Sequence, residues 1–223
     1  MVQSDNQTRE GDGPAIPLGT EADRSRRGAD ILTLPGLDNS GPRHWQSHWE
    51  TLACCRRVDL GDWAHPRLHL WVDALDAAIL ASPRPVVLAG HSLGALTIVW
   101  WTQLRWREAL RGKVAGALLV APPDVDALES TPRIRDFRPL PRLRLPFPAI
   151  LVASRNDDYA GFARSEEMAA AWGAELIDLG PAGHINAESG LEEWTRGFRL
   201  AAELGGHNVN MLVAELGMRR ALA

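Results

Sequence analysis

Ser92 stands in Gly90-His91-Ser92-Leu93-Gly94, directly after the apolar run Val86-Val87-Leu88-Ala89. A serine between glycines is an ordinary turn residue unless a strand precedes it and a helix follows. Both conditions are met, because residues 95–105 contain neither proline nor glycine. Such a strand-turn-helix elbow strains the serine backbone, lifts the hydroxyl above the carboxyl edge of a sheet, and turns the Leu93 N–H toward a developing oxyanion. The chemistry this predicts is acyl transfer with Ser92 as nucleophile.

A serine hydroxyl needs a general base, and the base needs an acid that fixes its tautomer. On this scaffold the chain order is serine, acid after a late strand, then histidine after the last strand. Asp157 and Asp158 follow the apolar run 148–154, and His184 lies in the glycine-rich stretch 180–186 after the run 175–179. His184 is thus the expected base, with two candidate acids. His91 adjoins the nucleophile, but neighbouring side chains diverge at a strand end, so packing is its expected job. His44/His48 and His65/His69 are i, i+4 pairs able to share a helix face, yet neither belongs to an HExxH motif and no carboxylate or cysteine set completes a metal site. No metal or cofactor is expected. The turn Leu34-Pro35-Gly36-Leu37-Asp38-Asn39-Ser40-Gly41 stands where a second oxyanion donor arises, from the backbone N–H near Leu37.

The elements that must position these groups alternate. Predicted strands are 30–35, 54–60, 85–91, 114–121, 148–154 and 175–179, several of them nearly continuous apolar runs, as expected of a sheet covered on both faces. Predicted helices are 66–80, with Leu68, Trp71, Leu75 and Ile79 on one stripe, then 93–111, 162–172 and 188–203. This pattern predicts an α/β fold with a parallel sheet of about six strands. Residues 122–147 carry several prolines and five arginines and read as an excursion between strands. Residues 1–28 are polar and expected to be disordered, 29–204 form the domain, and 205–223 are a tail able to add one helix.

The 223 residues are 45% hydrophobic and 23% charged, which suits one core, and the net charge of -4 supplies no basic face for nucleic acid or anionic lipid. No run approaches the roughly 18 apolar residues of a membrane span, and the N-terminus lacks the apolar core of a signal peptide. Cys54 and Cys55 are adjacent, so a disulfide between them would be strained, and they read as small buried residues in a reducing compartment. The expected location is the cytoplasm.

Four stretches together resemble the small serine hydrolases related to retinoblastoma-binding protein nine and bacterial YdeN: LPGLDNSGPRHWQSHWE (34–50), DWAHPRLHLWVDALDAAI (62–79), LAGHSLG (88–94) and residues 145–194, which include RNDDYAG and GPAGHIN. The resemblance covers about residues 30–204. It implies an α/β-hydrolase fold without a large cap domain and a metal-independent Ser-His-Asp triad, and of the two acids it selects Asp157. Similar proteins read Asp-Pro-Tyr where this chain has Asp157-Asp158-Tyr159. The pocket-protein motif Leu-x-Cys-x-Glu is incomplete here, because Leu52-Ala53-Cys54-Cys55-Arg56 ends in a residue of opposite charge, which argues against such a partner.

The expectation is a serine hydrolase acting on a small-molecule carboxylic ester, with a thioester or amide as the other derivatives open to it. The rival is a hydrolase-shaped binding protein with little turnover, since fold does not fix function. Nine tryptophans, several of them within 44–71, could serve such a recognition surface.

Overall fold

The computed structural model describes residues 28–127 and 131–207, with 210, 213, 214 and 217 of the tail. The expected N-terminal disordered segment, residue 28 apart, and most of the tail lie outside the described residues. Within residues 28–127 and 131–207 the α-helices and strands follow in the order β1 (Asp30–Leu34), α1 (Trp45–Trp49), β2 (Cys55–Arg57), α2 (Leu68–Ala81), β3 (Val86–His91), α3 (Leu93–Arg105), β4 (Val114–Val120), β5 (Ala149–Ala153), α4 (Phe162–Trp172), β6 (Glu175–Asp178) and α5 (Thr195–Leu204). The six strands form one sheet in the order β2-β1-β3-β4-β5-β6, with every neighbouring pair parallel. This is the α/β-hydrolase architecture.

Side-chain alternation along the central strands divides the core in two. Leu32, Leu34, Val86, Leu88, Ala117, Leu119 and Leu151 face α2, α3 and α4, where Trp71, Leu75, Leu96, Val99, Met168 and Trp172 pack. Ile31, Val87, Ala89, Leu118, Val120 and Val152 face α1 and α5, with Trp45, Trp49, Trp194 and Phe198. Burial on both faces explains why the middle strands read as unbroken apolar runs. The two edges differ from them. β2 carries Arg56 and Arg57, and β6 carries Glu175 and Asp178 at its ends.

Several boundaries differ from the sequence reading. The strand expected over 54–60 pairs only at 55–57, as an edge strand. The helix expected over 66–80 starts at Leu68, so Pro66 precedes it rather than occupying its first turn. The helix expected over 93–111 stops at Arg105, because Trp106 turns extended and lays its ring against Trp101 and Phe147. The span 188–203 divides into a 3-10 turn at 187–189 and α5, separated by Trp194 in a left-handed conformation (φ 38). Within 122–147 the described residues include a 3-10 helix at Pro132–Phe137. Cys54 and Cys55 form no disulfide, their sulfurs lie 3.7 Å apart, and the contact with Cys54 together with burial pushes the Cys55 thiol up.

Candidate active site

β3 delivers Ser92 to the carboxyl edge of the sheet, and α3 begins at the next residue. Ser92 has φ 54 and ψ -123, a strained conformation for a residue with a side chain. Two glycines make the sharp turn possible. A Cβ on Gly90 would lie 2.6 Å from the Ala95 nitrogen, and one on Gly94 would lie 2.0 Å from the Leu34 carbonyl oxygen, so neither position has room for a side chain. The Ser92 N–H donates to the Val120 carbonyl at 2.9 Å, which fixes the elbow to β4.

The loop after β6 carries His184 to the same edge. Its Nε2 lies 2.9 Å from Ser92 Oγ, and its Nδ1 lies 3.0 and 2.9 Å from the two carboxylate oxygens of Asp157. The Asp157 side chain is 3% exposed and also accepts the Tyr159 N–H at 2.9 Å. Asp158, the other candidate acid, is exposed, and His184 Nδ1 bonds Asp157 instead. The loops holding acid and base are tied together: Asn156 Oδ1 accepts the Gly183 N–H at 2.8 Å, and Ser154 Oγ accepts the Ala182 N–H at 3.0 Å. Ser92, His184 and Asp157, far apart in the chain, thus stand in one hydrogen-bonded line.

Leu37 and Leu93 border the same cavity, and neither backbone N–H donates to any group among the described residues. Asp38 and Asn39 turn the chain after Leu37 in left-handed conformations (φ 61 and 67). The absence of a side chain at Gly36 brings this turn against the elbow, since a Cβ there would lie 2.8 Å from Ser92 Cβ. Two free N–H groups beside a serine hydroxyl form a site suited to an oxyanion.

The cavity measures about 230 Å³. Its roof comes from the excursion between β4 and β5, which contributes Pro123, Thr131 and Ile134. Ion pairs hold this roof in place. Arg133 bonds to Asp38 and donates to the Ala64 carbonyl, and Arg164 of α4 binds Asp124, Asp126 and Glu167.

A second layer of residues was not singled out for the site in the sequence. His91 Nε2 donates to the His184 carbonyl at 2.8 Å, beyond the packing role expected of it. Burial, foremost, holds the His91 ring well below the usual histidine range, so it stays neutral. Trp45 Nε1 donates to the Ile185 carbonyl at 3.0 Å and Trp49 Nε1 to the Glu193 carbonyl at 2.7 Å. Gln46, fully buried, donates to the Leu34 and Ala89 carbonyls, both at 3.0 Å, and accepts from Ser40 Oγ. Trp45, Gln46 and Trp49 come from α1, and the stretch HWQSHW was their only signal. The two histidine pairs diverge in role. His44 caps α1 and borders the cavity, whereas His65 lies on the surface beside Asp62.

The sequence matches the family described as Serine hydrolase over residues 31–203. The structure is similar to that of a protein described as a YdeN-like hydrolase from Pectobacterium atrosepticum, with TM-score 0.69 and 34% identity over 86% of this chain and 95% of that one. The ydeN gene product of B. subtilis has the same fold, with TM-score 0.64 and 18% identity over 79% of this chain and 98% of that one. A curated mouse protein, Probable G-protein coupled receptor 150, is 36% identical over 93 residues, 40% of this chain. This chain spans about a fifth of that receptor's length (21%), and no helix among the described residues is long and apolar enough to cross a membrane. With its family match over most of the domain and its hydrolase neighbours, the chain belongs to the serine hydrolase family and is an esterase-like hydrolase of the α/β-hydrolase superfamily.

Proposed function

We propose that the protein hydrolyses a small carboxylic ester through an acyl-enzyme on Ser92. The observation that carries this reading is the 2.9 Å approach of His184 Nε2 to Ser92 Oγ while Nδ1 rests on the Asp157 carboxylate. Asp157 holds the proton on Nδ1, which leaves Nε2 free to accept one. Ser92 Oγ attacks the carbonyl carbon as its proton passes to Nε2, and the oxyanion takes hydrogen bonds from the Leu37 and Leu93 N–H groups. The C–O bond to the alcohol then breaks, and His184 returns the proton to the departing oxygen. Water repeats the sequence: His184 takes its proton, the hydroxide attacks the acyl carbon, and Ser92 leaves with the proton restored. Thioesters and amides differ only in the leaving atom.

Turnover of p-nitrophenyl acetate and butyrate, together with fluorophosphonate labelling, tests the reading. Wild type is expected to turn over and to label, and Ser92→Ala to do neither. Labelling that persists in Ser92→Ala removes Ser92 as nucleophile, and a wild type that stays unlabelled and inert favours a binding protein of hydrolase shape.

A further inference from the structure

His44 is 4% exposed and borders the cavity that holds Ser92 and His184. Its Nδ1 accepts the Gln46 N–H at 3.2 Å as the cap of α1. A neutral imidazole whose Nδ1 accepts carries its hydrogen on Nε2. Burial, foremost, and the nearby Arg57 charge bring the ring to about 4, so it is neutral at physiological pH. Nε2–H is therefore a fixed donor, and it is buried with no hydrogen-bond partner. Among the described residues, no other residue bordering the cavity has a buried side-chain nitrogen or oxygen left in that state.

A buried donor without an acceptor is destabilising, and the imidazole is flanked by the His91 and Trp45 rings, with centroids 4.7 and 5.2 Å away. An acceptor atom brought in by a substrate would complete it. The cavity walls also define the charge of that atom. Among the described residues no lysine or arginine borders the cavity, and the carboxylate of Asp38, which does border it, is already paired with Arg133. A carboxylate on the substrate would find no cation in the wall to pair with.

Resting on the hydrolase reading above, we propose that His44 determines specificity, donating from Nε2 to an uncharged oxygen, such as an ether, hydroxyl or ketone, carried by the substrate beside its scissile carbonyl. The substrate class is thus a small, neutral, oxygen-substituted ester rather than a plain alkyl ester or a dicarboxylic half-ester.

Two substitutions separate this role from the helix cap. In His44→Asn the amide oxygen falls near the position of Nδ1 and keeps the cap, while the donor is lost. In His44→Gln the amide nitrogen falls near the position of Nε2 and keeps the donor, while the cap is lost. Two matched pairs serve as probes: p-nitrophenyl methoxyacetate against p-nitrophenyl butyrate, and 2-methoxyethyl acetate against butyl acetate followed by acid release. For each variant the readout is the kcat/KM ratio within a pair, which cancels intrinsic reactivity and any uniform damage.

The expected result is that in at least one pair the ratio falls about tenfold in His44→Asn and stays near wild type in His44→Gln, the scale of one neutral hydrogen bond. Ratios unchanged within twofold in His44→Asn for both pairs overturn the proposal, as does equal loss in both variants. Preference for the anionic p-nitrophenyl hydrogen succinate over the methoxyacetate overturns the uncharged class. A wild type inert toward all these esters and toward fluorophosphonate defeats the hydrolase reading itself, and this inference with it.

Discussion

His91 Nε2 donates to the carbonyl of His184 at 2.8 Å, so the side chain next to Ser92 in sequence braces the backbone of the residue that faces Ser92. The elbow and the histidine loop are therefore coupled directly, and not only through the Ser92–His184 contact. His91→Phe keeps a ring of similar size but no donor. It is expected to lower kcat by about 10- to 100-fold through misplacement of His184, with slower fluorophosphonate labelling that still maps to Ser92. His91→Gln, whose amide nitrogen reaches the same place, is expected to recover most of the loss. An unaltered kcat in His91→Phe would show that the base is held without this bond.

Asp157 and Asp158 are neighbours with opposite surroundings, one under His184 and the other in solvent. In Asp157→Asn the amide can donate to Nδ1, which moves the imidazole hydrogen to Nε2 and blocks proton acceptance from Ser92. The expected drop in kcat is up to about 10⁴-fold, against little change for Asp158→Asn. Steady-state kinetics on p-nitrophenyl acetate ranks the two, and the reverse order would transfer the acid's role to Asp158.

Stability is expected to fall in mild acid. Burial, above all, lowers His44 from 6.5 to about 4 and holds His91 lower than usual as well. In the unfolded chain both rings take up protons near pH 6.5, while the folded chain keeps them neutral. The stabilisation is complete above about pH 6.5 and is lost as pH falls toward 4, with about 3 kcal/mol from His44 alone. Urea midpoints at pH 7.5 and 4.5 measure this. His44→Asn is expected to flatten the dependence, and an equally steep loss in that variant would place the titrating group elsewhere.

Gln46 is uncharged, buried and bonded to two strand-end carbonyls and one hydroxyl. Gln46→Leu fits the volume but leaves Leu34 O, Ala89 O and Ser40 Oγ without this partner, an expected cost of about 3 kcal/mol. Denaturant unfolding gives the value directly. A loss under about 0.5 kcal/mol, within the range of ordinary surface changes, would mean that water replaces the amide at no cost.

The parts of this molecule that could be read from sequence are those whose neighbours are local or repetitive. β3, β4 and β5 emerge from the apolar runs to within one or two residues, because strands buried on both faces need no alternation. Ser92 and His184 were reached through chain order and motif, which record where a parallel sheet brings its loops; the same order left Asp157 and Asp158 both open, and the family resemblance selected Asp157. α1 was missed, since five residues are too few to show a helical period. The break at Trp194 was missed because a left-handed tryptophan has no local cause in sequence, and its indole packs against Trp45 and Trp49 far away in the chain. The role of His44 was illegible for a similar reason: which wall it joins depends on how the turn at 36–43 folds over the elbow.

Both rims of the sheet end in charge. A foreign strand docking on β2 would have to strip water from Arg56 and displace Arg57 from Glu50, and one docking on β6 would disturb the Asp178–Arg155 pair. Short, charged margins of this sort deter the open-ended stacking to which unprotected β-ladders are prone. The brevity of β2, which pairs only at 55–57, is therefore also a safeguard against aggregation.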